Sequence, residues 1–261
     1  MPSPTRIVCN YCCVPMRLLP DVTSEKTSQV LFGEGGEILE TDGHLCRVRL
    51  DYDGYEGWVD GRQLVETSTG PEEETAWVGD VCAPATGAGR KLHLVLGSPL
   101  PRFTRSKFEI AGESYAFSGT VIRRPAKPPT ASRVLSQALR YLDTPYLWGG
   151  RTPFGLDCSG LVQMALRVFG IGLPRDSIDQ KQQSGLLPVP FTGALPGDLA
   201  FFENARDASH HVGFVHGADQ VLHASGSVRI DRLDAAGIWH REKGHCTHHL
   251  LSILRVPGLG G

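Results

Sequence analysis

The sequence is poor in the features that mark membrane, nucleic-acid-binding and secreted proteins. No segment approaches the roughly 18 consecutive apolar residues of a membrane-spanning helix. The 26 basic and 28 acidic residues leave a formal net charge of −2, so charge gives no reason to expect nucleic acid or an anionic membrane as a partner. The first residues, MPSPTRIVCNYCC, do not place an apolar run after a basic region, as a secretory signal would. We therefore expect a cytoplasmic protein.

The cysteine content argues against a disulfide framework. Seven cysteines are an odd number, and the thiols of cytoplasmic proteins stay mostly reduced. Cys9 and Cys12 form a C-x-x-C pair with Cys13 beside it, but no second pair follows at the spacing of a zinc ribbon. We interpret these three as small, buried residues of a first strand. The sequence predicts no metal and no cofactor, and it gives no indication of oligomeric state.

Two β-rich regions precede a mixed one. Residues 8–65 contain short segments of partly alternating hydrophobicity broken by glycine and aspartate, which is typical of a small β-barrel. The polar, acidic residues 67–75 suit a linker, and a second β-like stretch spans 77–122. The basic, proline-rich residues 123–129 form another linker, because proline cannot continue a helix or a central strand. We therefore predict three domains, at 1–70, 71–127 and 128–261.

The third region predicts an α+β domain. The segment TASRVLSQALRYL has apolar residues at helical spacing behind a cap at Thr130 or Ser132. A second helix is expected to begin at or near Cys158 and to end at Gly170. Strand-like segments follow, among them HVGFVHG and QVLHASG. Helices followed by an antiparallel sheet define the α+β class.

Cys158 stands where a helix start would activate a thiol. Free backbone N–H groups and the positive end of the helix dipole favour the thiolate, and beside a cation they lower a cysteine pKa to roughly 3.5–7.5. The same N–H groups can hold the oxyanion of a tetrahedral intermediate. Asp157 can cap the helix, while Ser159 and Gly160 keep its first turn slim enough for an extended substrate. A lone cysteine is more often structural, so a base must also be found.

Two histidines can supply that base and its orienting partner. His211 and His223 lie on two segments joined by a turn. If the loop has an odd number of residues, positions of equal parity share one face, and the two rings come within reach. An even loop would place them on opposite faces. In the first case Cys158 attacks, His211 transfers the proton and His223 holds the tautomer of His211. His210 and His216 have the wrong parity and are interpreted as surface or core polar residues.

Four more histidines and a cysteine cluster near the C-terminus. They offer a metal site or a solvated edge, and the second interpretation is favoured because no carboxylate or second cysteine completes a ligand set. The cluster consists of His240, His245, Cys246, His248 and His249.

Five blocks of the third region together resemble the NlpC-type cell-wall cysteine peptidases. The blocks are TPYLWGGRTPFGLDCSGLV, LPRDSIDQ, LPGDLAFF, HVGFV and VLHASG, in this order, within residues 133–256. The resemblance implies a papain-like fold with a Cys-His-polar triad. Cys158 would be its nucleophile, His211 its base and His223 its third polar residue.

The same resemblance implies three substrate contacts, from Tyr146, Ser159 and Asp176. Tyr146 lies in PYLWGG and would line the site beside the thiol, and Asp176 lies in PRDS. From the local sequence alone, a packed core ring at Tyr146 and a turn cap at Asp176 are the favoured alternatives.

The N-terminal half resembles the bacterial SH3-like module of a narrower branch. The residues are VPMRLLPDVTSEKTSQVLFGEGGEILE and DGYEGWVD, and the second β region resembles a diverged copy of the module. Members of this branch are γ-D-glutamyl-L-diamino-acid endopeptidases that recycle free murein peptides such as L-Ala-γ-D-Glu-diaminopimelate. The resemblance implies that Glu25 and Tyr55 bind the unblocked amine of L-Ala, with Glu34 as an alternative to Glu25 and a solvated surface role as the other interpretation of Glu25.

A requirement for a free amine has a physical basis. The amine is a cation at neutral pH, and a closed pocket with a carboxylate would bind it while refusing an amide-linked chain. Asp176 could share the same ammonium. Two further functions stay open on the sequence. One is a thiol acyltransferase, amidase or general cell-wall hydrolase, since an acyl-enzyme can be resolved by different nucleophiles. The other is a protein that binds cell-wall polymer without catalysis.

Overall fold

The computed structural model describes residues 5–68, 76–240 and 244–259, and the chain divides into two compact units. The first unit comprises Met1–Arg124 together with Trp148–Pro153. The second comprises Pro125–Leu147 and Phe154–Gly261. Most of the predicted linker at 67–75 lies outside the described residues, as does the predicted boundary at 70/71.

The first unit begins with a seven-stranded antiparallel barrel. Its strands pair in the order β3-β2-β6-β5-β4-β1-β7, and a short 3₁₀ turn at Gly61–Gln63 leads into the last strand. Alternate residues of β5 point inward, as the period-two pattern of that strand requires. The strands are β1 (Arg6–Cys9), β2 (Cys13–Arg17), β3 (Lys26–Leu31), β4 (Gly35–Asp42), β5 (Leu45–Leu50), β6 (Glu56–Asp60) and β7 (Leu64–Thr67).

The second β region of this unit has two smaller sheets. Four strands pair in the order β10-β9-β12-β11, and β13 pairs with β8. The strands are β8 (Ala76–Val78), β9 (Cys82–Gly87), β10 (Arg90–Val95), β11 (Lys107–Ile110), β12 (Glu113–Phe117) and β13 (Val121–Arg123), and β14 (Arg151–Thr152) belongs to the later segment of the unit.

An aromatic residue of the first barrel helps to fuse the two β regions. Phe32 is fully buried in the core of the second region. Its ring meets Phe108 edge-on at a centroid distance of 5.4 Å and Tyr115 at 6.0 Å, which is favoured aromatic geometry. Residues of the two predicted barrels therefore share a hydrophobic core within the first unit.

In its described residues, the second unit has three short α-helices and one seven-stranded sheet. The helices are α1 (Ala131–Ala138), α2 (Cys158–Arg167) and α3 (Ser177–Gln182). Strand β15 (Gly155–Leu156) precedes α2. All ten residues of α2 are buried, and α2 packs against α1 and against a central strand of the sheet. No helix among the described residues is both long enough and apolar enough to span a bilayer.

The sheet of the second unit is antiparallel throughout and follows the helices in the chain. Its order is β16-β22-β17-β18-β19-β20-β21, with a further pairing of β21 to β22. The predicted α+β class is confirmed. The strands are β16 (Leu187–Val189), β17 (Leu199–Asn204), β18 (His210–Gly217), β19 (Gln220–Ser225), β20 (Ser227–Asp234), β21 (Gly237–Trp239) and β22 (Cys246–Arg255).

Candidate active site

Cys158 is the first residue of α2, as the sequence predicts. Asp157 is the N-cap, and its Oδ1 accepts the backbone N–H of Gly160 at 2.7 Å. The helix ends at Arg167, and Gly170 follows with a left-handed φ of 75° that glycine adopts readily. Cys158 is only 6% exposed, so the thiol lies inside the fold.

A buried ion pair holds the start of the helix. Arg175, 1% exposed, donates from Nη1 to Asp157 Oδ1 at 3.0 Å and to the hydroxyl of Ser159 at 2.9 Å. The hydroxyl of Ser159 also donates to Asp157 Oδ1 at 3.2 Å. The Ser159 hydroxyl therefore serves the ion pair, and a substrate contact by Ser159 stays a prediction. Arg175 gives Asp157 a countercharge that local sequence reasoning does not provide.

The environment of Cys158 opposes ionisation of the resting thiol. Burial is the largest influence, and with the negative charge of Asp157 it raises the pKa of Cys158 to about 12. Backbone hydrogen bonds from Val212 and Ser159 act in the opposite direction but do not prevail. The expectation of a lowered pKa is wrong for this site, because burial outweighs the helix terminus. The bond from Val212 places the thiol beside the residue that follows His211 in β18.

The two histidines lie on adjacent strands and their rings meet. His223 of β19 stands opposite Gly213, so His211 is its diagonal neighbour on the same face. His211 Nε2 and His223 Nδ1 are 2.9 Å apart. Gly213 leaves room for this contact, because a Cβ there would lie 2.8 Å from the His223 Cβ and 2.8 Å from the Leu222 carbonyl oxygen. The loop between β18 and β19 has only two residues, Ala218 and Asp219, which by parity alone would separate the rings. A β-bulge between Val215 and Gly217 shifts the register by one residue and brings both rings to one face.

A carboxylate continues the chain of hydrogen bonds. His223 Nε2 lies 3.1 Å from Oδ2 of Asp231, which is 5% exposed. Arg229 Nε donates to the same oxygen at 2.8 Å. Burial would raise the pKa of Asp231, but the bonds and charges of His223 and Arg229 outweigh it and lower that pKa. Asp231 is therefore ionised near neutral pH and can only accept hydrogen bonds.

The environment keeps both imidazoles in their neutral form. Burial, followed by the charges of His223 and His248, holds the pKa of His211 well below 6.5. Burial also lowers the pKa of His223, although Asp231 acts to raise it. A neutral imidazole has a free lone pair, which a general base needs.

His248 packs against the ring of His211. The two rings stack with centroids 4.4 Å apart at an angle of 30°, and Thr247 Oγ1 lies 2.9 Å from His248 Nδ1. Burial lowers the pKa of His248 to about 4. The interpretation of the C-terminal histidines as a solvated edge is wrong for His248, which is 6% exposed, whereas His245 and His249 are exposed.

Tyr146 lies close to the thiol and Asp176 begins a helix. The backbone N–H of Tyr146 donates to the Gly226 carbonyl at 2.9 Å. Burial, and then the charge of Cys158, raises the pKa of its phenol, which keeps the hydroxyl a donor. Asp176 is the N-cap residue of α3, but its side chain makes no capping hydrogen bond. The alternative interpretation of Asp176 as a cap is wrong for its carboxylate.

The proposed amine-binding residues belong to the first unit. Glu25 is exposed, and its Oε1 accepts the indole N–H of Trp148 at 2.6 Å. Glu34 is 2% exposed and accepts from Arg151 at both oxygens, at 2.9 and 2.8 Å. Because Glu34 already neutralises a buried guanidinium, Glu25 is the better candidate for an ammonium ligand. Tyr55 is half-buried against the core of the first barrel.

The described residues hold no cluster of three or more histidine, cysteine, aspartate or glutamate side chains able to bind a metal ion. Within those residues, the C-terminal cluster and the Cys9/Cys12/Cys13 group thus provide no ligand set.

Comparison with known families identifies the two parts of the chain. Residues 143–246 match the NlpC/P60 family, and residues 17–64 match the bacterial dipeptidyl-peptidase SH3 domain. The chain contains an NlpC/P60 domain. Its Cys158, His211 and His223 lie within the matched residues, and the enzyme is a cysteine peptidase.

Two proteins of Bacillus subtilis show sequence similarity to the NlpC/P60 peptidase. A gamma-D-glutamyl-L-lysine dipeptidyl-peptidase is 29% identical over 214 residues, which are 76% of this chain and 71% of that protein. A gamma-DL-glutamyl hydrolase is 32% identical over 173 residues, 63% of this chain but only 38% of that protein. These relatives support a peptidase that acts on the cell wall.

A solved structure confirms the fold. The crystal structure of an NlpC/P60 family protein from Bacillus cereus superposes with a TM-score of 0.79 over 96% of this chain and 99% of that chain, at 19% sequence identity. The predicted papain-like α+β fold with an N-terminal SH3-like domain is therefore confirmed, and the second, diverged SH3-like module stays a prediction.

Proposed function

We propose that this NlpC/P60 peptidase hydrolyses the bond between γ-D-Glu and the diamino acid of free murein peptides whose N-terminal L-Ala is unblocked. The observation that carries the proposal is the buried Cys158, hydrogen-bonded to the backbone of Val212 directly after His211, together with the pair of His211 and His223, in which Nε2 and Nδ1 are 2.9 Å apart. The similarity to a gamma-D-glutamyl-L-lysine dipeptidyl-peptidase indicates the bond. Such a reaction would recycle cell-wall peptides in the cytoplasm.

The acylation step follows from the neutral resting pair. As the sulfur of Cys158 attacks the scissile carbonyl, its proton passes to Nδ1 of His211, the ring nitrogen that His223 does not engage. A C–S bond forms, and the carbonyl π electrons move to the oxygen, which the N–H groups of the first turn of α2 can stabilise. When the C–N bond breaks, His211 returns the proton to the leaving amine of the diamino acid.

The deacylation step repeats this chemistry with water. His211 Nδ1 takes a proton from water as its oxygen attacks the thioester carbonyl, and the proton returns to the sulfur as the C–S bond breaks. The products are L-Ala-γ-D-Glu and the free diamino acid or a peptide beginning with it. No redox step or cofactor is needed, and the phenol of Tyr146 can donate a hydrogen bond near the thiol.

We assign recognition of the L-Ala ammonium to Glu25 and Tyr55, with Asp176 as a further carboxylate. Support comes from the exposure of Glu25 and from the engagement of Glu34 by Arg151. The indole of Trp148 fixes one oxygen of Glu25, so the carboxylate is oriented before substrate binds. An ordered carboxylate loses less conformational entropy on binding a cation.

Mass spectrometry of L-Ala-γ-D-Glu-meso-diaminopimelate after incubation with the enzyme tests the proposal. The expected products are the dipeptide and free diaminopimelate, and Cys158→Ala should yield neither. The N-acetylated tripeptide and intact sacculi serve as comparison substrates. Equal rates on free and acetylated tripeptide, or efficient cleavage of sacculi, would replace the recycling role with that of a general cell-wall hydrolase. An added amine that appears in the product would instead indicate an acyltransferase.

A further inference from the structure

The second unit carries a buried carboxylate beyond the cysteine and the two histidines. Asp231 lies on β20, where it pairs in register with Val221 of β19, two residues from His223. Its Oδ2 is bonded to the His223 ring at 3.1 Å and to Arg229 at 2.8 Å. The reaction described above uses neither Asp231 nor Arg229, yet both lie at the end of the chain of bonds that begins at His211.

The carboxylate of Asp231 determines which atom donates in each hydrogen bond from Asp231 through His223 to His211. An ionised Asp231 can only accept, so His223 must carry its proton on Nε2. The Nδ1 of neutral His223 is then an acceptor, so the bond from His211 requires a proton on its Nε2. Neutral His211 consequently has its lone pair on Nδ1. If His223 carried its proton on Nδ1 instead, it would donate to Nε2 of His211. Neutral His211 would then carry its own proton on Nδ1 and could not act as a base at that nitrogen.

Arg229 holds the carboxylate in the orientation that this order requires. Its Nε donates to the oxygen that His223 contacts. The guanidinium is about one-third exposed, at 32%, while the Asp231 side chain is 6% exposed. The other charges that act on His223 and His211 are those of the two rings themselves and of His248. None of these other groups is an obligate acceptor.

We propose that Asp231, oriented by Arg229, is a positioning residue that fixes the tautomer of His223 and thereby keeps Nδ1 of His211 unprotonated. The inference rests on the proposed roles of Cys158 and His211. It adds a fourth member to the chain, one that acts through His223 and does not touch the substrate.

Asp231→Asn tests the proposal, because an amide can accept from Nε2 or donate to it and so no longer selects a tautomer. Loss of such an outer partner typically costs about 10- to 100-fold, and the loss should fall on kcat with KM unchanged. Asp231→Glu, which keeps an obligate acceptor, should restore part of the rate. Asp234→Asn is the matched control. Asp234 lies on the same strand, and its carboxylate pairs with Arg232 at 3.5 Å. The substitution removes that carboxylate and should leave kcat unchanged.

Nitrogen-15 NMR reports which imidazole nitrogen is protonated, and this would not change if Asp231 had only a structural role. In the wild-type enzyme near pH 7.5, both His211 and His223 should be protonated on Nε2, and in Asp231→Asn the His223 signals should shift toward the Nδ1-protonated form. A wild-type His223 protonated on Nδ1 would overturn the proposal even if the variant fails to fold. Unchanged kcat and unchanged tautomers in a folded Asp231→Asn would overturn it as well.

The same measurements separate this inference from the proposed substrate. The tautomer spectrum needs no substrate, so failure of the wild-type enzyme to cleave the tripeptide would refute the proposed function alone. If the wild-type enzyme cleaves the tripeptide and Asp231→Asn changes neither kcat nor the tautomers, only the positioning role would be refuted.

Discussion

Alkylation of the resting enzyme with iodoacetamide measures the ionisation of Cys158, because only the thiolate reacts. Burial and the charge of Asp157 raise its pKa from the ordinary 9.0 to about 12, so its thiolate fraction at pH 7 is on the order of 10³-fold below that of an ordinary thiol. A more basic thiolate is more nucleophilic, and a Brønsted coefficient of about 0.4–0.5 recovers a factor of roughly 20. We therefore expect Cys158 to react on the order of 50-fold more slowly than an ordinary exposed thiol.

The assay is peptide mapping by mass spectrometry across pH 6–10, with the exposed Cys82 as the internal reference. The logarithm of the Cys158 rate should rise by about one for each pH unit across this range, since the thiol titrates only above it. The lowered pKa of His211 favours a neutral imidazole as the partner of the thiol at these pH values. A plateau between pH 6 and 8, at a rate above that of Cys82, would show a preformed thiolate–imidazolium pair and would refute the neutral resting state.

Replacing His211 by alanine should lower kcat as much as loss of the nucleophile, because a triad acts as a unit, whereas His223→Ala removes only orientation and should cost less. If His211→Ala and His223→Ala both lowered kcat/KM on the tripeptide slightly and to the same extent, the roles of base and orienting residue would be contradicted. N-acetylation of the tripeptide should lower kcat/KM by about two orders of magnitude, since losing a charged partner costs about 2–5 kcal/mol. Glu25→Gln should reduce the ratio of kcat/KM between the free and the acetylated tripeptide, and the control Glu37→Gln, at an ion pair with Arg49 in the same barrel, should leave that ratio unchanged. Urea unfolding of Asp157→Asn should show a loss of about 3–5 kcal/mol, because a buried guanidinium loses its carboxylate; a loss below 1 kcal/mol would contradict a structural ion pair. Dialysis against a chelator should leave kcat unchanged, and a lost rate would indicate a metal.

Local rules were sufficient for the parts of the site that lie close together in the sequence. The start of α2 at Cys158 follows from an aspartate cap ahead of an apolar helical face, which involves residues within one or two turns. The pairing of the strands that carry His211 and His223 follows from a short hairpin, and the structure shows the two rings 2.9 Å apart. Their shared face depends also on the β-bulge between Val215 and Gly217, which offsets the two-residue loop and which backbone periodicity alone does not display.

The electrostatic partners could not be found in the same way. Arg175 meets Asp157 from 18 positions away, and nothing in PRDS distinguishes a buried guanidinium from a solvated one. His248 reaches His211 because β22 pairs with β17, whose other neighbour is β18. That pairing joins strands that are distant in the sequence, so local patterns do not predict it. The raised pKa of Cys158 is likewise a result of packing, since sequence shows the helix terminus but not how completely it is buried.

Asp231 lies between these two cases, because the sequence pattern around it indicates its position relative to His223. The segment SVRIDRL alternates, and β20 follows β19 through a tight turn at Gly226, so parity alone would have placed a carboxylate near His223. A neutral second histidine cannot by itself decide which of its nitrogens carries the proton. An obligate acceptor on the next strand should therefore be sought whenever two histidines pair in this way.

The YLWGGR segment shows why a motif beside a nucleophile need not serve the nucleophile. Tyr146 belongs to the second unit, but Trp148–Pro153 belongs to the first. Arg151 explains the division. Its guanidinium is fully buried and forms two hydrogen bonds to Glu34, 117 positions away, while its backbone N–H donates to Gln29 at 2.7 Å. A buried arginine without such a carboxylate would be strongly destabilising, so this segment cannot leave the first unit without cost. Trp148, whose indole donates to Glu25, thus begins a stretch of the first unit that ends at Pro153, five residues before Cys158 begins its helix.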